Sequence, residues 1–166
     1  MKKFSLVALG FCAIALCYKS DVMAASADAD GNASVVIVNQ VGIESVEDMD
    51  FGTLISPGYD GVFTLSTSGL LTCANNWVCS GSPTAGKFKI SANNASVNVT
   101  YQNGVLSDGT GNTLPLTVTG DTRVTMVHGE GTLSVGATLN VPWGTSAGTY
   151  STSNAGGSPY KVTVDY

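Results

Sequence analysis

Residues 160–166 have the sequence YKVTVDY, in which tyrosine and valine alternate with lysine, threonine and aspartate. Successive side chains of a strand point to opposite faces of its sheet, so this alternation predicts a strand with one buried and one solvated face. The same two-residue period predicts further strands in five segments: 33–43, 87–91, 97–101, 114–119 and 123–127.

Turn-forming residues stand between these segments, for example Ser56-Pro57-Gly58, Asn103-Gly104, Asp108-Gly109 and Gly156-Gly157. Such pairs favour tight turns because glycine and asparagine tolerate positive φ angles and proline presets a negative one. Strands separated by turns every 8–12 residues or so are typical of antiparallel sandwiches and barrels. The sequence therefore predicts an all-β protein.

Composition supports this fold class and excludes others. The 166 residues include 20 glycines and only 11% charged side chains, whereas the exposed faces of a helical bundle need many charges. The length corresponds to one domain. Twelve acidic residues against seven basic ones give a net charge of −5, which argues against a nucleic-acid partner.

The first residues have the pattern of a secretory signal peptide. Lys2 and Lys3 precede an apolar run from Phe4 to Leu16, and small residues occupy the end of Val22-Met23-Ala24. The apolar run is shorter than the roughly 20 residues of a permanent transmembrane helix, which argues against a retained membrane anchor. We predict cleavage after Ala24 and no membrane insertion thereafter.

The predicted organisation has three parts. Residues 1–24 are the signal peptide, 25–32 form a flexible N-terminus that is rich in small and polar residues, and 33–166 form a single β-sandwich domain. A cleaved signal implies a secreted protein that resides in the periplasm, at the cell surface or outside the cell.

Export also makes a disulfide between Cys73 and Cys79 plausible, because these are the two cysteines that remain after cleavage and the compartment is oxidising. The alternative, half of a zinc site, lacks a second pair of cysteine or histidine ligands. A bridge this short would pin one hairpin or loop, which contains Trp77.

No catalytic arrangement can be assembled from the candidate motifs. Gly144–Gly148 matches the nucleophile-elbow pattern around Ser146, but the only histidine, His128, lies upstream instead of downstream. The cluster of Glu44, Glu47, Asp48 and Asp50 could collect calcium, but a solvated strand end is the favoured explanation. We predict that the protein is not an enzyme and has no cofactor and no metal site.

Five segments have the sequences MDFGTL, SPTAGKFKI, GTLSVGATL, AGTYS and YKVTVDY, and they lie at 49–54, 82–90, 131–139, 147–151 and 160–166. Taken in order, these segments resemble the secreted bacterial domain-of-unknown-function family numbered 4402. The same pattern is similar to that of chaperone–usher fimbrial subunits, which begin with an alternating strand and end in a motif like Ala147–Ser151 followed by an alternating strand.

The fimbrial resemblance implies an incomplete immunoglobulin-like sandwich that is completed by a strand from the next subunit. The donor-strand candidate is the alternating row Ala33, Val35, Ile37, Val41 and Ile43, which Asn39 interrupts with a polar amide. The alternative is that this strand pairs inside its own domain. The resemblance also implies partners: copies of the chain or related subunits, and a periplasmic chaperone.

Two features depart from these families, the long loop from Thr152 to Ser158 and the Cys73–Cys79 pair. Trp77 and Trp143 lie in loops and are candidate contacts for a glycan or a protein partner. The alternative for both is packing against the end of the sandwich.

These observations predict a fimbria-like structural subunit at the bacterial surface, which assembles by strand exchange or surface association and supports adhesion or biofilm. The alternative is a stand-alone periplasmic or secreted β-sandwich that recognises a glycan or a protein through its loops.

Overall fold

The computed structural model describes residues 28–37 and 40–166, and the predicted signal peptide lies outside this part of the chain. The described residues contain strands and no helix, and they fall into two units that divide at Val36 and Ile37. The strands are β1 (Val41–Glu47), β2 (Thr53–Ile55), β3 (Gly61–Leu65), β4 (Leu71–Thr72), β5 (Val78–Ser80), β6 (Gly86–Ala92), β7 (Ser96–Gln102), β8 (Gly104–Ser107), β9 (Thr113–Gly120), β10 (Arg123–Thr125), β11 (Glu130–Val141) and β12 (Lys161–Asp165).

The largest sheet is organised around the long strand β11. Its first half, up to Val135, pairs with β6, and its second half, from Ala137, pairs with β3. β9 pairs with the middle of β11, from Val135 to Leu139. β1 extends the sheet beyond β6, β4 extends it beyond β3, and β8 extends it beyond β9. Every one of these pairs is antiparallel.

Two smaller antiparallel sheets complete the domain, one with the order β10-β7-β12 and one in which β2 pairs with β5. The side chains that alternate inward along these strands form one apolar core. The largest of its fully buried side chains are Phe63, Leu65, Ile90, Val97, Leu133 and Val135. The predicted all-β antiparallel sandwich is confirmed.

The predicted strand over 33–43 is corrected by the structure. Among the described residues the strand begins at Val41, and residues 28–37 form no strand and are exposed. Alternation identifies which side chains share a face, but a strand also needs a hydrogen-bonded neighbour, and the alternating pattern alone does not supply one. Asn39 lies outside the described residues.

The turn between β10 and β11 requires an unusual backbone. His128 and Gly129 both have positive φ angles, 56° and 84°, and the backbone groups of Val127 and Glu130 bond to each other across them. Two successive positive φ angles define the turn that matches the twist of a tight hairpin. His128 is therefore a hairpin residue.

Within the described residues, no helix is long and apolar enough to cross a membrane.

Candidate functional site

The edge strand β1 leaves part of the core uncovered. Ile43 lies opposite Ile90 in the ladder between β1 and β6, and directly opposed side chains point to the same face of a sheet. Ile90 is completely buried, yet Ile43 is 37% exposed. The described residues pair β1 only with β6, so its other edge has unpaired backbone groups.

The edge strand β12 also has inward-pointing apolar side chains that are only partly buried. Val164 lies opposite the buried Val99, and Val162 lies opposite Tyr101, so both valines point inward. Both are only partly buried although they pack against the core. β12 ends its sheet, with β7 as its neighbour in the described part of the chain.

β1 and β12 run alongside each other without forming a ladder in the described residues. At one end, the Tyr166 hydroxyl donates a hydrogen bond of 2.8 Å to the Gln40 carbonyl, just before β1. At the other end, the Tyr160 ring meets Phe88 edge to face at 6.1 Å. We call the region between these strands the open flank and define it by Val41, Ile43, Val162 and Val164.

Tyr160 is a partly buried anchor of this flank. Partial burial raises the pKa of its hydroxyl, and the charge of Asp48 raises it further. A Cβ at Gly86 would collide with that hydroxyl, which explains why β6 begins with a residue that lacks a side chain.

The family-like segments meet in the same region. The backbones of Asp50 and Thr84 exchange two hydrogen bonds of 2.9 Å, which joins the segment 49–54 to the segment 82–90. The Asp50 carboxylate accepts a hydrogen bond from the Gly52 amide, and Phe51 is buried in the core. These hydrogen bonds therefore tie two of the segments that carry the resemblance to each other.

A family model described as "Domain of unknown function (DUF4402)" matches residues 41–166, which is most of the chain. The chain belongs to the DUF4402 family. The match begins at the first residue of β1 and covers all twelve strands of the described chain. No curated protein and no solved structure is similar enough to the chain to count as a match.

The exposed segment before the DUF4402 match contains the other part of the predicted donor row. Val35 is 80% exposed and Ile37 is 84% exposed, and Ala33 is exposed as well. Single exposed aliphatic residues are common, but Val35, Val36 and Ile37 are three in succession. Their role as donor residues stays a prediction.

The structure joins Cys73 to Cys79 with a Cα–Cα distance of 6.0 Å. The bridge closes the loop that carries Trp77, and the Trp77 ring packs edge to face on Phe63 with centroids 4.9 Å apart. Trp77 is 8% exposed, so the prediction that it offers an external contact is wrong. Its place in the core depends on Gly61, where a Cβ would lie only 2.7 Å from the indole ring.

Trp143 is exposed, in contrast to Trp77, with 75% of its surface accessible. Its backbone amide donates a hydrogen bond to the Asp60 carboxylate. The turn continues with Gly144 at φ 80°, and the Thr145 amide and hydroxyl both donate to the Pro142 carbonyl. Hydrogen bonds therefore fix the loop backbone at and after Trp143, while its indole ring remains outside the core.

The other sequence candidates occupy separate places. Ser146 lies in an exposed loop with neither strand nor helix, so the strand–serine–helix arrangement of a nucleophile elbow is not formed there. In the acidic cluster, Glu47 pairs with Lys87 and Asp50 caps its own turn. No group of metal-ligating side chains is found among the described residues.

Asp108 organises the loop between β8 and β9. Its carboxylate accepts hydrogen bonds from the amides and from the side chains of Thr110 and Asn112, at distances of 2.6–3.1 Å. These hydrogen bonds lower the pKa of Asp108 to about 2. The bond from the Asn112 side chain contributes most, and the bond from the Thr110 amide comes next. Sequence reasoning found a turn here but not this network.

We expect Asp108→Asn to weaken the domain at neutral pH and to reduce its sensitivity to acid. The folded pKa is depressed, so the stabilisation is complete above the ordinary value of 3.8 and is lost as the pH falls towards about 2. Urea midpoints measured from pH 7 down to pH 2 should fall less steeply for the variant between pH 4 and pH 2. Equal slopes for variant and wild type would contradict this role.

Proposed function

We propose that this DUF4402 protein is a fimbria-like structural subunit of the bacterial surface, assembled by strand exchange and supporting adhesion or biofilm. The observation that carries the proposal is the exposure of Ile43, which points inward opposite the fully buried Ile90. A sandwich that completes itself covers such a residue with another strand. Among the described residues, no strand pairs with the outer edge of β1 or of β12.

The open flank offers two kinds of interaction to an added strand. The outer edges of β1 and β12 supply unpaired backbone groups, and the partly exposed Ile43, Val162 and Val164 supply apolar contacts. Strand addition uses both, with main-chain hydrogen bonds for affinity and alternate side chains for specificity. This combination favours an extended, alternating peptide as the occupant.

The segment around 33–37 fits that description. Ala33, Val35 and Ile37 lie two residues apart and would all face the same way in an extended strand. Val35 and Ile37 are large, apolar and exposed in a single chain. Insertion into a neighbouring copy would bury them, at about 1.5–3 kcal/mol for each fully buried side chain.

Location and partners follow from the same proposal. The leader-like sequence and the Cys73–Cys79 bridge support export to an oxidising compartment, such as the periplasm or the cell surface. The partners would be copies of this chain or related subunits. An uncovered apolar edge promotes aggregation, so a periplasmic chaperone that covers it before assembly is part of the proposal.

A second candidate function is a stand-alone secreted binding module. The exposed Trp143 on a braced loop favours it, because rigid aromatic residues are common contact sites. This function requires no polymer.

The test is a denaturing gel of surface material, with unboiled and boiled samples probed for this chain. The proposal predicts a ladder at multiples of the monomer mass that collapses on boiling, since strand-exchanged polymers are kinetically stable. A single monomer band in both lanes would contradict it and leave the binding module.

A further inference from the structure

A shallow groove of about 310 Å³ lies between the Asp108 loop and the Trp143 loop, away from the residues that define the open flank. Its lining includes Asn112, Thr113 and Leu114 from the first loop and the start of β9, and Trp143, Thr145 and Tyr150 from the segment after β11. The volume is at the small end of the range for ligand sites. The groove belongs to the loops between strands, where binding residues are concentrated.

The lining combines one aromatic face with neutral polar groups. None of the residues that line the groove in the described chain carries a charge, and the whole protein has a net charge of −5. Anionic ligands are therefore disfavoured, and the two acids beside the groove, Asp108 and Asp60, already accept hydrogen bonds from Asn112 and from the Trp143 amide. Amide and hydroxyl groups are suited to a ligand with many neutral hydroxyls.

Hydrogen bonds orient the side chains of Asn112 and Tyr150 and the backbone of Trp143 before any ligand binds. The Asn112 amide donates a hydrogen bond of 2.6 Å to Asp108, which orients the amide. The Tyr150 hydroxyl donates to the Ser146 carbonyl at 3.0 Å, and the Trp143 amide is bonded to Asp60. Such bracing lowers the entropy that a site loses on binding.

We propose that this groove binds a neutral carbohydrate, with one sugar ring stacked on Trp143 and its hydroxyls directed to Asn112, Thr113 and Thr145. The face of a pyranose ring consists of C–H groups and its edge of hydroxyls, so it matches an exposed indole beside uncharged polar side chains. The proposal does not depend on strand exchange, because the groove and the open flank share no residue.

The experiment applies the full-length mature chain to an array of neutral and sialylated glycans. Titration with the best neutral ligand follows, monitored by tryptophan fluorescence with iodide as quencher. Only two tryptophans are present and Trp77 is buried, so quenching reports on Trp143. We expect binding to a neutral glycan and protection of Trp143 from iodide.

Three variants make the test specific. Trp143→Ala should weaken binding at least about tenfold, as expected for a central aromatic contact, and Trp143→Phe should restore most of it. Tyr59→Ala, which removes another exposed aromatic outside the groove lining, should leave binding unchanged. Urea midpoints equal to wild type would show that each variant is folded.

The proposal is overturned if no neutral glycan binds, if only sialylated glycans or a protein bind, or if Trp143→Ala binds as well as wild type. Absence of a polymer ladder in the wild-type protein, together with glycan binding, would overturn the proposed subunit function and leave this site standing.

Discussion

Replacing Val35 and Ile37 together with aspartate is expected to abolish the heat-labile ladder and to leave a folded monomer. Both residues are exposed in the single chain, so their replacement removes no contact of the folded domain. In a strand-exchanged polymer, two unpaired carboxylates would enter the apolar open flank, where an uncompensated charge costs several kcal/mol. Unboiled gels and sedimentation of purified protein measure the outcome.

Val36→Asp is the matched control. Val36 is exposed like its two neighbours but would point away from the open flank in an extended donor strand. The control should therefore retain the ladder. Normal assembly of the Val35 and Ile37 double variant, or equal loss of assembly in the Val36 variant, would show that this segment does not donate through alternate side chains.

Gly136→Ala is expected to lower the free energy of unfolding by about 3 kcal/mol, at the upper end of the cost of overpacking. Gly136 lies where the pairing of β11 passes from β6 to β3. A Cβ there would collide with the Leu65 carbonyl oxygen and lie 2.9 Å from the Ser66 carbonyl carbon. Both obstacles are backbone atoms, so no side-chain rotation relieves the clash.

The matched control for this prediction is Gly148→Ala. The nearest atom to its added Cβ is 3.7 Å away, an ordinary contact, and the change should shift the urea midpoint very little. Equal urea midpoints for Gly136→Ala and wild type would show that the backbone of β11 can move away from that of Leu65 and Ser66 without loss of stability. That result would contradict the prediction.

Alternation predicted the strands whose faces are cleanly divided between core and solvent. In β9, the inward Leu114, Leu116 and Val118 are buried and the residues between them are exposed, as the sequence pattern indicates. β12 follows the same rule, with Val162 and Val164 turned inward. These elements are predictable because burial on one face is the main constraint on their sequence.

Features that depend on distant partners could not be predicted in this way. Trp77 is buried because Gly61, far away in sequence, leaves room for its ring. The segment 33–37 has the alternation of a strand, but the described chain provides no neighbour for it. The open flank follows from the pairing that places Ile43 opposite Ile90. The sequence does not indicate which edge strands lack a neighbour, so it could not predict this region.

Hydrogen exchange of the assembled protein is the most direct test of the central claim that the open flank receives the segment 33–37 of another copy. The account predicts slow exchange for 33–37 and for the outer amides of β1 and β12, and fast exchange of all three in the Val35 and Ile37 double variant. If 33–37 in the wild-type protein exchanges as fast as an unstructured peptide, the account is contradicted.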